Sequence, residues 1–470
     1  MSELDENPEV VIIGAGPGGY TAAIRLGQIG LEPVVIDGEN VGGVCLNWGC
    51  IPTKTVYSTT EPLSKLSSWR RRGVDFSDPE ISLEKITAHQ KKVVDRLTGG
   101  VAKLIAGNGG KMVAGNAEIL PGPKVKVTEE DGEEVTLTPD NLIIASGSSP
   151  IELPGFPFED DDIWDSRDAV FPTEAPEKLV ILGAGVIGLE MGTVYSRLGS
   201  EVTIVEMKDS ILPTSNLDSR ISSYLKRALQ KQGIKVATGT RAAEYRKKDG
   251  RGSVLGENDG EEVSFKADNV LVAVGRKPRT DFIDGTLDLD IDERGFIRTE
   301  KNCKTNIDGV YAIGDVTGEP LLAHKASHEA LIAAAAIAGE DHEPFKVVPA
   351  AVFTDPEYAD VGLSAEEAEA EGFEPIIGRF PLRASGKALA MDETEGAVVL
   401  VADKSSDKLL GGSILGPNAS DMIAEIGLAI ESGLTISEVA NAVHPHPTLS
   451  EAIMEAAENA HGRAIHTGNR

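Results

Sequence analysis

Cysteine, aromatic residues and long apolar runs are scarce in this 470-residue chain. Its three cysteines are too few for a disulfide-stabilised secreted domain, and only 4% of its residues are aromatic. The sequence contains no run of about 18 uncharged apolar residues, so no transmembrane helix is predicted. Residues 1–6 are acidic and lack the basic start and apolar centre of a signal peptide, which makes the cytoplasm the expected compartment.

Basic residues are also in the minority. The 45 Lys and Arg residues stand against 75 Asp and Glu residues, which gives a net charge of −30. A chain this acidic repels nucleic acids and anionic membrane surfaces, and we expect neither as a partner. The acidic residues are dispersed along the chain, which is typical of proteins from salt-accumulating organisms, where salt screens the self-repulsion. An ordinary acidic enzyme is the alternative.

Glycine, by contrast, is abundant, and two glycine-rich turns lie in the same context. Residues 14–19 (GAGPGG) follow a β-branched run and precede a helical pattern and a strand that ends at Asp37. Residues 183–188 (GAGVIG) have the same surroundings, and the following strand ends at Glu206. Strand, glycine turn, helix, strand and acid form the fingerprint of a dinucleotide site, where the backbone approaches a pyrophosphate and the acid accepts from a ribose. Two complete copies predict two such sites.

The wider pattern predicts an α/β protein with two Rossmann-like dinucleotide-binding domains and a C-terminal α+β domain. Residues 141–148 and 270–278 each predict a strand that leads to a glycine turn and closes a nucleotide-binding unit, and an Ala-rich helix is predicted from about 323 to 338. After Pro344 short strands alternate with helices. The predicted domains are therefore 1–149 and 150–280 for the two dinucleotide units, 281–345 for a segment that returns to the first, and 346–470 for the C-terminal domain.

Two cysteines, Cys45 and Cys50, follow the first acid closely. A zinc site needs about four ligands and no second pair is evident, so no metal is predicted. A structural disulfide closing so short a loop would constrain the unfolded chain little. The favoured interpretation is a redox-active dithiol, with a helix starting near Cys50 that favours its thiolate. Cys303 has no cysteine near it in sequence and is interpreted as a buried, inert thiol.

A histidine between two prolines, His446, precedes a helical run near the C-terminus. The spacing of Thr448 and Glu451 fits a capping box, which would explain both residues without catalysis. A thiol in equilibrium with its thiolate needs a base that titrates near neutrality, and His446 would supply it. Glu451 could fix the tautomer of that base as well as cap the helix.

These motifs make the chain similar to the pyridine nucleotide-disulfide oxidoreductases, from residue 10 to about residue 460. The most specific stretches are 42–54, 314–315, 323–326 and 446–451, and the resemblance is strongest to members that oxidise dihydrolipoyl groups. It implies the cofactors FAD and NAD, a homodimer, and a lipoyl-bearing protein or free dihydrolipoamide as substrate. The lipoyl carrier would belong to a 2-oxo acid dehydrogenase complex, a glycine cleavage system or neither. Trp48 fills a position that varies among members.

The resemblance also implies individual roles. Cys50 would face the flavin, and Cys45 would meet the substrate. His446 and Glu451 would act on Cys45 of the partner subunit, and Lys54 would pair with Glu190 near the flavin. The residues implied to bind FAD are Gly14, Gly16, Gly19, Asp37, Gly43, Lys54, Ala117, Gly147, Asp315 and Ala323. The cofactor-binding residues implied in the second dinucleotide-binding unit are Gly183, Gly185, Gly188, Glu190, Glu206 and Gly275.

The residues themselves favour NAD over NADP. Glu206 lies where a 2′-phosphate would have to bind, and two anions so close repel each other. Two other classes of disulfide reductase are therefore disfavoured. Glutathione reductases usually use NADPH, which Glu206 argues against, and mercuric reductases carry an extra C-terminal cysteine pair that this chain lacks. A flavoprotein that only binds a partner would leave Cys45, Cys50 and His446 without a purpose.

Overall fold

The computed structural model describes residues 5–129, 131–212, 218–283 and 287–469. Of the acidic N-terminal segment, only Asp5 and Glu6 are among them. No helix of these described ranges is long and apolar enough to cross a membrane. The helices are α1 (Pro17–Gln28), α2 (Gly43–Trp48), α3 (Cys50–Arg71), α4 (Leu83–Gly107), α5 (Ser166–Val170), α6 (Val186–Arg197), α7 (Ser219–Lys231), α8 (Ala323–Ile337), α9 (Ala365–Ala370), α10 (Gly386–Met391), α11 (Ala419–Glu431), α12 (Ile436–Asn441) and α13 (Glu451–Ala460), with short 3-10 helices at Gly314–Thr317 and Leu382–Ala384.

The strands follow the same chain order. They are β1 (Val10–Ile13), β2 (Val34–Asp37), β3 (Lys111–Leu120), β4 (Lys124–Glu129), β5 (Glu134–Leu137), β6 (Asn141–Ile144), β7 (Ser148–Pro150), β8 (Ile163–Trp164), β9 (Lys178–Leu182), β10 (Glu201–Val205), β11 (Lys235–Ala237), β12 (Thr240–Lys248), β13 (Arg251–Asn258), β14 (Glu261–Lys266), β15 (Asn269–Val272), β16 (Arg276–Pro278), β17 (Val310–Ala312), β18 (Ala350–Val352), β19 (Tyr358–Gly362), β20 (Pro375–Pro381), β21 (Ala397–Asp403) and β22 (Leu409–Leu415).

One compact unit comprises Met1–Thr55, Glu84–Ile151 and Gly275–Phe345. Its sheet has the order β17-β6-β1-β2-β3-β4-β5, parallel from β17 to β3 and antiparallel beyond. All four residues of β1 are buried, as expected for a strand covered on both faces. The chain leaves β1 for β2 on one side and returns as β6 on the other. The turn after β1 therefore lies at a topological switch point, where α/β sheets bind ligands.

The other compact unit comprises Val56–Leu83, Glu152–Val274 and Lys346–Arg470. It contains a second parallel sheet, ordered β11-β10-β9-β15-β8, and an antiparallel meander, β12-β13-β14. Its C-terminal part is a five-stranded antiparallel sheet, β18-β19-β22-β21-β20, whose apolar residues pack with those of α11 and α13. This architecture confirms the predicted α/β class with a C-terminal α+β part, whereas the predicted domain boundaries stay a prediction.

Both closing strands lead into glycine turns, as predicted. The first is β6, which ends at Ile144, and the second is β15, which ends at Val272. Gly147 (φ 74°) and Gly275 (φ 135°) follow these ends in conformations that a β-strand does not tolerate. Beyond the glycines, β7 and β16 pair with each other as a separate two-stranded ribbon.

Candidate active site

The first glycine turn uses its glycines for two different purposes. Gly14 has φ 102°, and a Cβ there would lie 2.3 Å from the Ala145 carbonyl oxygen, while a Cβ at Gly19 would lie 1.8 Å from the Gly14 oxygen. These two positions need glycine for the fold itself. A Cβ at Gly16 would meet only Gly43 Cα, at 4.0 Å, and no side chain caps α1 at this residue. The turn therefore has room and uncapped N–H groups at the point where a phosphate would bind.

The second glycine turn repeats this division. A Cβ at Gly183 (φ 103°) would lie 2.4 Å from the Ala273 oxygen, and one at Gly188 would lie 2.0 Å from the Gly183 oxygen. Apart from its own chain neighbours, no atom of the described residues lies within 4 Å of a Cβ at Gly185, which is the N-cap of α6 and has no side-chain cap. Packing within the chain thus accounts for two glycines of each turn, whereas the third has open space beside it, where a phosphate would bind.

The two terminal acids are tied to these turns in matching ways. Asp37 Oδ2 accepts the Ala15 N–H at 2.7 Å, and Glu206 Oε2 accepts the Ala184 N–H at 2.8 Å. The other oxygen of each carboxylate accepts the N–H two residues further along, at 2.8 Å in both cases. Each oxygen keeps a second lone pair, so both carboxylates can still accept from ribose hydroxyls.

The cysteine pair lies directly after the first acid. Cys45 is in α2, and α3 begins at Cys50, as the sequence predicted. A hydrogen bond with Cys50 and burial raise the pKa of the Cys45 thiol, and the Lys54 ammonium opposes the shift. Two sulfurs within hydrogen-bond reach of each other are placed to form a disulfide. Cys50 is the first residue of α3, and the N-terminus of a helix favours a thiolate there.

The third cysteine differs from this pair. Cys303 is 4% exposed, and its Sγ lies 3.6 Å from the Glu329 carbonyl oxygen. Burial raises the pKa of the Cys303 thiol to about 12. The predicted burial is confirmed, and such a thiol is unreactive at neutral pH.

The loop that carries Asp315 is held by an ion pair that sequence reasoning missed. Lys325 Nζ lies 3.0 Å from Glu329 Oε1, with side chains 7% and 12% exposed. Glu329 Oε2 accepts the Gly314 N–H at 2.7 Å, and Lys325 donates to the Gly318 oxygen at 3.1 Å. The pair therefore fixes both ends of the 3-10 turn around Asp315. The available signal was an oppositely charged i,i+4 pair in an Ala-rich helix.

We expect Glu329→Gln to lower the free energy of unfolding by about 3 kcal/mol, because Lys325 is left buried without its anion. Urea unfolding measures the change. Glu61→Gln is the matched control, since Glu61 and Lys65 form a more exposed i,i+4 pair at 2.7 Å and its loss costs below about 1 kcal/mol. Equal losses in the two variants would contradict this account of the loop.

The remaining predicted cofactor residues are distributed over several elements. Ala323 is the first residue of α8, and Ala117 lies in β3, partly buried against the core. Glu190 is 3% exposed in α6, where its Oε1 accepts the Phe353 N–H at 3.1 Å. The pairing of Lys54 with Glu190 stays a prediction.

The histidine–carboxylate pair near the C-terminus has a defined proton arrangement. His446 Nδ1 lies 2.8 Å from Glu451 Oε1, and Glu451 Oε2 accepts the Thr448 N–H at 2.8 Å. Burial acts to raise the pKa of Glu451, but hydrogen bonds from the Thr448 amide and from His446 hold it below its usual value. The ionised carboxylate can only accept, so Nδ1 carries the proton and Nε2 is left as a base. His446 is 78% exposed in the single chain.

The predicted capping box is wrong in one respect. The helix α13 begins at Glu451 with Ser450 as its N-cap, so Thr448 lies two residues before the cap. The Thr448 hydroxyl donates to the Pro445 oxygen at 2.8 Å instead of capping the helix. Only the bond from the Thr448 amide to Glu451 is present, and it orients the carboxylate toward His446.

Comparison with known proteins gives the same family over nearly the whole chain. The family model described as pyridine nucleotide-disulphide oxidoreductase matches residues 8–330, and the corresponding dimerisation-domain model matches residues 348–457. A dihydrolipoyl dehydrogenase of Halobacterium salinarum is 43% identical over 100% of both chains. One from Thermus scotoductus is 45% identical over 98% of this chain and 99% of its own. The crystal structure of LpdA from Mycobacterium tuberculosis has a TM-score of 0.88 at 27% identity, covering 97% of this chain and 99% of that one.

Two glycine turns, an adjacent thiol pair and a dimerisation domain define a flavoprotein disulfide oxidoreductase, and the chain belongs to the pyridine nucleotide-disulphide oxidoreductase family. Within that family it groups with the dihydrolipoyl dehydrogenases, whose cofactors are FAD and NAD. Relatives from haloarchaea agree with the dispersed acidic composition.

Proposed function

We propose that this chain oxidises the dithiol of a dihydrolipoyl group through a Cys45–Cys50 disulfide and passes the electrons to NAD+. The observation that carries the proposal is the hydrogen-bonded thiol pair that begins close to the first glycine turn, in the same compact unit. The thiols supply a disulfide that exchanges with a substrate dithiol. The two glycine turns supply separate places for two dinucleotides.

The residues present fit both cofactors. The open positions at Gly16 and Gly185 would receive the two pyrophosphates, and Asp37 and Glu206 would each accept from a ribose. Asp315 would bind the ribityl chain, which is the role that the family resemblance implies. When bound, FAD takes up the two electrons of a dithiol and delivers them to NAD+ as a hydride equivalent.

The thiol chemistry balances over these residues. A substrate thiolate attacks Cys45 Sγ, the Cys45–Cys50 bond breaks, and Cys50 leaves as a thiolate. The second substrate thiol then attacks the mixed disulfide, which releases the substrate as a cyclic disulfide and Cys45 as a thiol. In a full turnover one dithiol is oxidised, one NAD+ becomes NADH, one proton is released, and the disulfide is restored.

The His446–Glu451 pair would move the proton in these steps. Nε2 accepts a proton from the attacking thiol, and the Glu451 carboxylate stabilises the imidazolium through Nδ1. The same nitrogen can return the proton to Cys45 when the mixed disulfide is resolved. A base that is 78% exposed in the single chain needs shielding for this role.

We propose that a second copy of the chain provides the shielding, so that His446 of one protomer serves the disulfide of its partner. Residues 348–457 match a dimerisation domain, and apolar side chains of that domain are exposed to solvent in the single chain. The most exposed are Leu428 and Val443, at 67% and 98%. Exposed apolar groups of this size are typical of subunit interfaces. The carrier of the dihydrolipoyl group would be a protein partner, and the compartment the cytoplasm.

The test is to mix oxidised holoenzyme with dihydrolipoamide without NAD+, quench in acid and alkylate the protein under denaturing conditions. Mass spectrometry then counts modified cysteines. We expect Cys45 and Cys50 to become alkylated only after dihydrolipoamide treatment, while Cys303 is alkylated in both samples because it is never disulfide-bonded. Alkylation of all three cysteines before reduction would contradict the redox disulfide. Reduced glutathione serves as the competing thiol, and we expect it to react poorly.

Coenzyme choice tests the role of Glu206. We expect Glu206→Gln to relax discrimination against NADP+ by at least about tenfold in kcat/KM, because the anion that repels a 2′-phosphate is removed. The amide keeps one oxygen to accept the Ala184 N–H, so the glycine turn retains its support. Glu206→Arg should shift the preference further, since it adds a cation, although it also removes the acceptor for Ala184. An unchanged preference in both variants would count against Glu206 as the ribose reader.

A further inference from the structure

A short hydrogen-bond relay, separate from the Lys325–Glu329 pair, ends on Asp315. Arg276 Nε donates to Ser148 Oγ at 2.7 Å, and Ser148 Oγ donates to Asp315 Oδ2 at 2.5 Å. Arg276 Nη2 also donates to the Ser148 carbonyl oxygen at 2.7 Å. Ser148 is 3% exposed. The relay thus joins the β7–β16 ribbon to the 3-10 turn within one compact unit.

The direction of each hydrogen bond in this relay is determined by chemistry. A guanidinium has donors but no acceptor and stays charged at any working pH, so Ser148 Oγ must accept from Arg276. The hydroxyl has one proton, and that proton must therefore point to Asp315 Oδ2. Through Ser148, Arg276 therefore makes Asp315 Oδ2 accept the hydroxyl proton and fixes the rotation of the carboxylate. The other oxygen, Oδ1, is then the one that would accept from a ligand hydroxyl.

The local backbone explains how these residues come together although they are distant in sequence. Ser148 and Asp315 are 167 positions apart, and Ser148 and Arg276 are 128 apart. Gly147 and Gly275 both have positive φ and precede β7 and β16. After these glycines the chain no longer continues the sheet of β6 or the sheet of β15, and β7 pairs with β16 instead. The pairing of the ribbon then brings the Arg276 side chain against Ser148.

We propose that Arg276 and Ser148 are positioning residues that orient Asp315 for the ribityl chain of FAD. The inference rests on the proposed function, because it takes Asp315 as the residue that binds the flavin. Neither residue needs to touch the cofactor. Their effect reaches the cofactor through the carboxylate, so it depends on an intact relay and not on each residue separately.

The experiment measures FAD dissociation from the holoenzyme by the rise of flavin fluorescence after dilution. We expect Ser148→Ala and Arg276→Met each to weaken FAD binding about tenfold, the usual effect of losing a hydrogen bond to a charged group. Ser148→Thr should bind FAD like the original chain, because it restores the hydroxyl. The double variant should bind no more weakly than either single variant. Arg294→Met is the control, since Arg294 pairs with Glu319 at 2.6 Å on the exposed side of the same turn.

The outcomes separate this inference from the proposed function. If Asp315→Asn releases FAD but Ser148→Ala and Arg276→Met do not, the relay is overturned and the role of Asp315 stands. If Asp315→Asn binds FAD as tightly as the original chain, the proposed role of Asp315 fails and the inference fails with it. Additive losses in the double variant would also overturn the relay, because they would show that Arg276 acts independently of the Ser148 hydroxyl. Circular dichroism of each variant confirms that the losses do not come from unfolding.

Discussion

Replacing either active cysteine separates two activities that the intact protein combines. We expect Cys45→Ser and Cys50→Ser each to lower dihydrolipoamide-dependent reduction of NAD+ by at least about 1,000-fold, the scale on which loss of a nucleophile acts. Oxidation of NADH by ferricyanide should persist in both variants, because that reaction needs the cofactors but not the disulfide. Two steady-state assays measure the difference: one follows NAD+ reduction by dihydrolipoamide, and the other follows NADH oxidation by ferricyanide.

Cys303→Ser is the matched control for these two variants. Its thiol is buried and its pKa is raised to about 12, so we expect both activities to be retained. The two active cysteines should also differ from each other in the anaerobically reduced holoenzyme. Cys45→Ser should keep the long-wavelength absorption of a thiolate beside the flavin, and Cys50→Ser should lose it, because Cys50 begins α3, where the helix N-terminus favours a thiolate. If that band persisted in Cys50→Ser, Cys45 would be the thiolate beside the flavin and Cys50 would be the thiol that meets the substrate.

Removal of the base should have the next largest effect. We expect His446→Gln to lower dihydrolipoamide oxidation roughly 100- to 10,000-fold, the range attributed to a positioned general base, while NADH oxidation by ferricyanide is retained. The remaining activity should rise with pH, since hydroxide then produces the substrate thiolate without help. Glu451→Gln should also lower the rate, because the imidazolium loses its anion.

A second histidine–carboxylate pair in the same domain controls for general effects of such a substitution. His466 Nδ1 lies 2.6 Å from Glu455 Oε1, and the His466 side chain is 68% exposed. We expect His466→Gln to change the rate less than about threefold, because surface substitutions away from a site have small effects. Equal losses in His446→Gln and His466→Gln would mean that the domain, and not the base, has been damaged.

The pH dependence of the His446–Glu451 pair follows from the direction of the Glu451 shift. The pKa of Glu451 is held below its usual value in the folded chain, so its contribution to stability is complete above the ordinary pKa of a glutamate. That contribution is lost only as the pH falls through the lowered value. We therefore expect the hydrogen bond that orients His446 to persist as the pH falls, until Glu451 itself is protonated below the ordinary pKa of a glutamate.

Local sequence patterns predicted the parts of the site that lie close together along the chain. The glycine turns, their terminal acids, the Cys45–Cys50 pair and the start of α3 all depend on residues within about one strand–helix–strand unit. The relay from Arg276 through Ser148 to Asp315 could not be predicted in this way. Its members are far apart in sequence, and only the pairing of β7 with β16 brings two of them together.

The error at the capping box has a related cause. The spacing of Thr448 and Glu451 satisfies the local rule, but the hydroxyl of Thr448 bonds back to Pro445 and the helix starts later. A pattern of residue types indicates which hydrogen bonds are possible. Which of them forms depends on the other acceptors within reach, here the Pro445 carbonyl oxygen. The ion pair of Lys325 and Glu329 was missed, because its i,i+4 spacing is common on helices and only the fold shows that it is buried around Asp315.

The most direct test of the central claim is NAD+ reduction by dihydrolipoamide with FAD-loaded protein, measured from low to multimolar salt. We expect rapid turnover with NAD+, little with NADP+, and an increase with salt because screening relieves the repulsion within a chain of net charge −30. No turnover at any salt concentration, in protein that retains its flavin, would contradict the assignment of a dihydrolipoyl substrate.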